Sequence, residues 1–259
     1  MRYTKILDTF AEITLTMEVS RVLVNIGARD GITCNDPCYD LHRFMGFSGL
    51  AIDGRCFEER KRKLAKFDVA NLSDFVTPET IIEKLKANNI PQDFGFLKID
   101  IDSFDGDLLD SVLKSGYRPA IIDCETNPEF PPPVRFCVRY RPEDMNKKIA
   151  QIGGAYGCSV GFVVGRGQKF GYIPIHLTFG EISYVHDTVL LRADIAEKCD
   201  IKPIDIAKRY YSLRCGPIHL MKAGVDSKNW RNVYGYKELI TRIRSEIESL
   251  EYPYKYTLE

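Results

Sequence analysis

Short, unbroken apolar runs alternate along the chain with longer segments of mixed polarity. RVLVNIGARDG (21–31) is an apolar run that ends in a glycine-bearing turn, the pattern of a buried strand followed by a tight loop. GLAIDG (49–54) repeats it and ends at Asp53. DVANLSDF, FGFLKIDID (94–102) and RPAIIDCETN (118–127) read as the third, fourth and fifth strands, and YVHDTVLLRADI (184–195) as the last. Between them lie helical segments: a lead-in over 1–20, a short piece at 36–47, the charged and exposed CFEERKRKLAKF, TPETIIEKLKANN and DGDLLDSVLKSGY. Thr77 followed by Pro78 marks a helix start, with the threonine expected as N-cap. Strand–helix alternation of this kind predicts an α/β fold, a mostly parallel sheet with helices on both faces.

The second half is less regular. Residues 128–150 are a proline-rich excursion, expected either to wall a binding site or to lie as a solvated loop. A helix or turn and a further strand follow in GGAYGCSVGFVVGRGQKFGYIPIHLTF. Residues 200–259 are charged and helical in pattern, so a division into a domain over 1–199 and a helical extension over 200–259 is expected. That extension is expected to cover the core or to join two copies in a homodimer.

Composition narrows the function classes. The chain has 259 residues, 44% of them hydrophobic, enough to bury a substantial core. Its 36 basic residues balance its 36 acidic ones, which removes any general drive toward nucleic acid or anionic membrane. The N-terminus lacks the apolar stretch of a signal peptide, and no run reaches a membrane span. The eight cysteines form no CxxC pair and no zinc spacing, so reduced thiols in a cytoplasmic protein are expected.

Candidate chemistry clusters at the carboxyl ends of the strands, where ligands bind in open α/β sheets. Asn25-Ile26-Gly27-Ala28-Arg29-Asp30-Gly31 lets the backbone turn sharply and approach a ligand. Asp53, about 22 residues beyond Gly31, is placed to accept from a ribose diol. Nicotinamide cofactors and S-adenosylmethionine both suit that layout. The absence of GxGxxG favours a ligand without phosphates. Asp100 and Asp102 alternate and are expected on one face of the fourth strand; Glu125 and Asn127 share a face of the fifth. If the strands are neighbours, the four converge as hard oxygen donors for Mg²⁺ or Mn²⁺. In the alternative, Asp100 contacts the sulfonium or amino group of the donor, and Asp102, Asp105 and Asp107 are solvated or cap the next helix. Lys98 is expected to point away from that pocket. His176 and His186 are candidate bases overhanging the mouth.

VNIGARDG, GLAIDG, FLKIDIDSFDGDLLDSVL and RPAIIDCETN, in this order over roughly residues 20–195, resemble the FkbM-like group of class I methyltransferases. The resemblance implies a seven-stranded Rossmann-like class I methyltransferase sheet, S-adenosyl-L-methionine as cofactor, and O-methylation of a glycan or other small-molecule hydroxyl. It implies that Asn25, Gly27, Ala28, Arg29, Asp30 and Gly31 form the methionine and ribose loop. Asp53 and Gly54 would lie at the ribose, Ser73 and Asp74 near the adenine, and Asp100 beside the methyl donor. Asp100 with Glu125 and Asn127 is also similar to the metal site of catechol O-methyltransferase and TylF-like sugar methyltransferases. The chain departs from the common pattern at Asn25, where an acidic residue is usual, and at Ala28-Arg29, where a further glycine is usual.

Overall fold

The computed structural model describes residues 4–32, 37–127, 130–144, 156–179, 185–212, 240–241, 244–245, 248 and 255–259. Seven strands form one sheet in the order β3-β2-β1-β4-β5-β8-β7. They are β1 (Val22–Ile26), β2 (Ser48–Ile52), β3 (Val69–Leu72), β4 (Phe96–Ile99), β5 (Ile121–Glu125), β7 (Tyr172–Phe179) and β8 (Val185–Arg192). The first five pair in parallel, and β8 inserts antiparallel between β5 and β7. This is the mostly parallel Rossmann-like sheet expected from the chain's alternation. Its order reverses at β1, which places β1 and β4 side by side at the switch point.

Helices cover both faces. On one, α1 (Thr4–Thr16), α2 (Pro37–Met45) and α7 (Ala193–Lys198) bury Phe10, Leu41 and Ile195 with Leu23, Phe96 and Ile121 of the sheet. On the other, α4 (Ile81–Ala87), α5 (Asp105–Lys114) and α6 (Val160–Lys169) bury Leu85, Leu108 and Val163 against Val24, Leu97 and Ile122. Both faces of β4 and β5 are therefore buried, Lys98, Asp123 and Glu125 included. The start of α4 is more elaborate than a single N-cap. The Thr77 and Thr80 hydroxyls each accept from the other's backbone N–H, at 3.3 and 3.1 Å, and the regular helix begins at Ile81.

The described part of the excursion, residues 130–144, carries a packed apolar cluster. Phe130, Val134, Phe136 and Val138 are buried together. β6 (Phe136–Val138) pairs antiparallel with β9 (Tyr256–Leu258), so the end of the chain contributes a strand where a helical tail was expected. Of the helical extension, α8 (Ile206–Ser212) is described, and its Tyr210 packs on Val160 and Leu177. Lys222, Lys228, Arg231 and Lys237, spread too far along the sequence to predict a basic stripe for nucleic acid, lie outside the described residues. Asp107 ties the excursion to α5: it pairs with Arg139 and accepts from the Tyr140 N–H at 2.8 Å. No described helix is long and apolar enough to cross a membrane.

Candidate active site

The loop after β1 is held from two sides. Gly27 and Ala28 donate to the Ile52 carbonyl at the end of β2, at 2.9 and 3.1 Å. Gly27 sits at φ +87°, and a Cβ there would lie 1.7 Å from the Asp100 carbonyl oxygen. Only glycine lets β1 and β4 open into one mouth at that distance. Asp53, just past β2, accepts from the Arg29 N–H at 2.7 Å through Oδ2 and from the Arg55 N–H at 2.6 Å through Oδ1. Each carboxylate oxygen keeps a further lone pair for a ligand. Gly54 lies under the exposed Phe75 ring, which a Cβ would meet at 2.6 Å.

Asp30 turns away from a free ligand-facing role. Its Oδ2 pairs with Lys63 at 2.6 Å, and its Oδ1 accepts from the Ile32 N–H at 3.2 Å. Ser73 and Asp74 line an open cleft of about 340 Å³ with Thr80, Glu83 and Lys84 of the α4 region, and Asp74 pairs with Lys84. Asn25 is buried on β1, level with Lys98 of β4.

A residue on the segment expected to be exposed holds this half together. Arg60 of α3 (Phe57–Leu64) is fully buried. Its guanidinium donates to the carbonyls of Arg29, Asp53, Arg55 and Leu72 and to Oδ1 of Asn71. Burial lowers its pKa, and the neighbouring Asp53 charge opposes that shift.

At the ends of β4 and β5 the chemistry changes. β4 and β5 are neighbours, as the convergence of Asp100 and Glu125 required. Carboxylate oxygens of Asp100, Asp102 and Glu125 all lie within 4.8 Å of one another. The route differs from strand alternation: β4 ends at Ile99, and Asp102 is brought round by a left-handed turn at φ +57°. Its N–H donates to Glu125 Oε2 at 3.3 Å. Asp105 lies beneath, fully buried, and accepts from the N–H groups of Ile101 and Ser103 at 2.8 and 3.0 Å. It therefore caps the turn rather than meeting solvent. Asn127, fully buried, donates from Nδ2 to the Tyr156 carbonyl at 3.0 Å.

Crowding sets the protonation states. Burial, then Asp100 and its neighbours, pushes Glu125 well above the usual carboxylate range. Burial raises Asp105 to about 7 against its two backbone donors. Desolvation beneath Asp102 and the Asp100 charge raise Asp102 as well.

Lys98 corrects an expectation. Residues two apart on a strand share a face, so Lys98 stands with Asp100 rather than against it. Its buried Nζ is 3.2 Å from Asp100 Oδ2, 3.7 Å from Asp187 Oδ1 and 3.9 Å from Asp123 Oδ2. Asp187 and Asp123 are themselves buried. The sequence reading missed both of these aspartates. Asp123 lies two before Glu125 on β5, and that spacing was the available signal.

The histidines sit elsewhere. His176 lies within β7 opposite Val189, two residues along β8 from Asp187, which faces Glu125 across the β5–β8 pair. It is in the sheet rather than overhanging the mouth. Burial, with Arg209 and Lys5 nearby, lowers its pKa to about 4. His186 falls in β8, and its side chain lies outside the described residues.

No family model matches the chain, and no curated protein sequence matches it significantly. Solved structures show a likeness of fold. One is a pericyclic reaction enzyme, at 13% identity and a TM-score of 0.41, covering 68% of this chain and 44% of that one. A second is an rRNA methylase from Streptococcus thermophilus, at 10% identity and 0.40, covering 72% and 95%. A third is the O-methyltransferase NcsB1 from neocarzinostatin biosynthesis, in complex with S-adenosyl-L-homocysteine and 1,4-dihydroxy-2-naphthoic acid. It stands at 12% and 0.40, covering 73% and 53%. The chain thus spans about half the length of the first and third. At these identities and scores the likeness bears on neither substrate nor mechanism, and the fold rests on the strand order itself.

Proposed function

We propose that the protein is an S-adenosylmethionine-dependent O-methyltransferase acting on a hydroxyl of a glycan or other small-molecule acceptor. The observation that carries the reading is the mouth between β1 and β4. Gly27 is pressed against Asp100 there, and Asp53 is held at the end of the adjoining strand. A ribose diol would meet the outward lone pairs of Asp53, and the glycine gives a ligand close access to the backbone beside Asp100. When bound, the donor supplies an electrophilic methyl group on a sulfonium. The chain's part is to position the acceptor oxygen in line with it.

An acceptor hydroxyl must lose its proton. Glu125 and Asp102 stand beside that mouth, and burial with the neighbouring Asp100 charge raises both above their ordinary values, which makes them stronger bases than a free carboxylate. The three clustered carboxylates are also a hard-oxygen donor set that fits Mg²⁺ or Mn²⁺. Asp100, Asp102 and Glu125 would hold such an ion, which would acidify the hydroxyl. Asn127 would be the fourth ligand by the metal-dependent resemblance. The glycan acceptor is supported by the FkbM-like resemblance of LKIDIDSFDG and IIDCETN.

The test is a thermal-shift titration with S-adenosylhomocysteine, with and without Mg²⁺ and a chelator. At a hundred times its dissociation constant the ligand adds about 2.7 kcal/mol of stability, a shift of several degrees. A folded sample that does not shift overturns the reading. A further Mg²⁺-dependent shift that Glu125→Ala abolishes supports the metal.

A further inference from the structure

Arg60 is the one buried guanidinium among the described residues, and its bonding is complete. An arginine carries five N–H groups. Here they meet five acceptors: Nε reaches Asn71 Oδ1 at 3.2 Å, and Nη1 reaches the Arg29 and Arg55 carbonyls at 2.8 and 2.9 Å. Nη2 reaches the Asp53 and Leu72 carbonyls at 3.3 and 2.8 Å. These acceptors lie past β1, past β2 and on β3, so one side chain ties the carboxyl ends of three strands. None of the five is a carboxylate. The charge is balanced at one remove, because Asp53 accepts the N–H groups of Arg29 and Arg55, the two residues whose carbonyls Nη1 binds. Guanidinium and carboxylate thus grip the same two loop residues from opposite sides. Both loops need that grip, since Arg29 and Cys56 hold left-handed backbone at φ 44° and 52°.

We propose that Arg60 is a positioning residue for the methyl donor: it forms both ligand loops and orients Asp53 before the ligand arrives. The proposal rests on the donor reading above. Its physical content is preorganisation. A site formed in only a tenth of the molecules binds about tenfold more weakly, with no contact to the ligand lost. Lysine offers a charge but three donors and no planar fork, so it can serve only part of the acceptor set. Methionine fills similar space and serves none.

The experiment is calorimetric titration of S-adenosylhomocysteine into the wild-type chain, Arg60→Lys and Arg60→Met, well below each melting temperature. Amide exchange is followed in the unliganded proteins. We expect Arg60→Met to weaken binding about tenfold or more. The cost should appear as a larger entropic penalty, with lost protection at residues 28–31 and 53–56. Arg60→Lys should fall between. Affinity within about twofold of wild type in a folded Arg60→Met, or in a folded Arg60→Lys where Arg60→Met does not fold, would overturn the proposal. So would failure of both variants to fold, which would make Arg60 a general core residue. Absence of binding to the wild-type chain is a separate result: it removes the donor reading itself, and the proposal with it.

Discussion

The two halves of the mouth are built on opposite electrostatic plans. At the ends of β1, β2 and β3, one guanidinium and one carboxylate meet backbone groups with every donor of Arg60 matched. At the ends of β4, β5 and β8, one ammonium faces three aspartates, with Glu125 and Asp102 crowded above. The first half is complete without a ligand. In the second, burial and neighbouring carboxylates raise Glu125 and Asp102 above their ordinary values. Under the proposed function, preorganisation and chemistry fall on different strands of one sheet.

The largest break in that contrast comes from removing the ammonium. Lys98→Met leaves Asp123 and Asp187 buried without their cation, and breaking such a group costs about 3–5 kcal/mol. Urea melts should show that loss, with part of it recovered in Lys98→Met/Asp123→Asn. A midpoint within error of wild type would mean that Lys98 is not the counterion of this half.

Next in size is Gly27→Ala. Its Cβ would overlap the Asp100 carbonyl at a backbone angle that L-residues rarely adopt. Gly46 also has positive φ (+67°) but has nothing within 4 Å of the added carbon. Gly46→Ala therefore carries only the conformational cost, about 1 kcal/mol, whereas Gly27→Ala adds the clash and should lose about 2–4 kcal/mol. Equal losses would show that the halves do not meet as closely as Gly27 and Asp100 imply.

The loops after β1 and β2 were legible in outline because their signals are local. A glycine turn after a buried strand, and an acidic residue ending the next, are patterns a few residues long. Arg60 escaped because charge was read as exposure along FEERKRKL. Phe57, Arg60 and Leu64 follow i, i+3, i+7 spacing, so the arginine stands on the inward stripe of the helix. The carboxylates at the ends of β4 and β5 were legible one by one and illegible as a network. Lys98 was placed on the wrong face although its parity matches Asp100. Asp187 reaches Lys98 only because β8 inserts antiparallel beside β5, a pairing set by tertiary contacts. The β6–β9 pair joins residues more than a hundred positions apart, and nothing in a tail of helical pattern announces it.

The smallest effect is the most discriminating, because the two kinds of buried group drive stability in opposite directions with pH. Asp105 has its folded pKa raised from 3.8 to about 7, and Glu125 is raised well above its ordinary value. Such carboxyls favour the folded state fully below their unfolded pKa, and that contribution is lost as pH rises through the folded pKa. His176 has its pKa lowered from 6.5 to about 4, so its contribution is present above 6.5 and lost as pH falls toward 4. Between pH 4 and 6.5 the slopes oppose each other. Above pH 6.5 the His176 contribution no longer changes, and stability should fall by up to about 1.4 kcal/mol per pH unit for each carboxyl still releasing its proton. Urea melts from pH 6.5 to 8 measure the slope directly. Glu125→Gln should make it shallower, leaving the part due to Asp105, and His176→Asn should leave it unchanged. If Mg²⁺ occupies the carboxylates, adding it should raise stability most at pH 8, where the ion displaces the fewest protons. A flat wild-type profile would mean that the β4–β5 half carries ionised carboxylates throughout, and that its contrast with the Arg60 half is one of bonding alone.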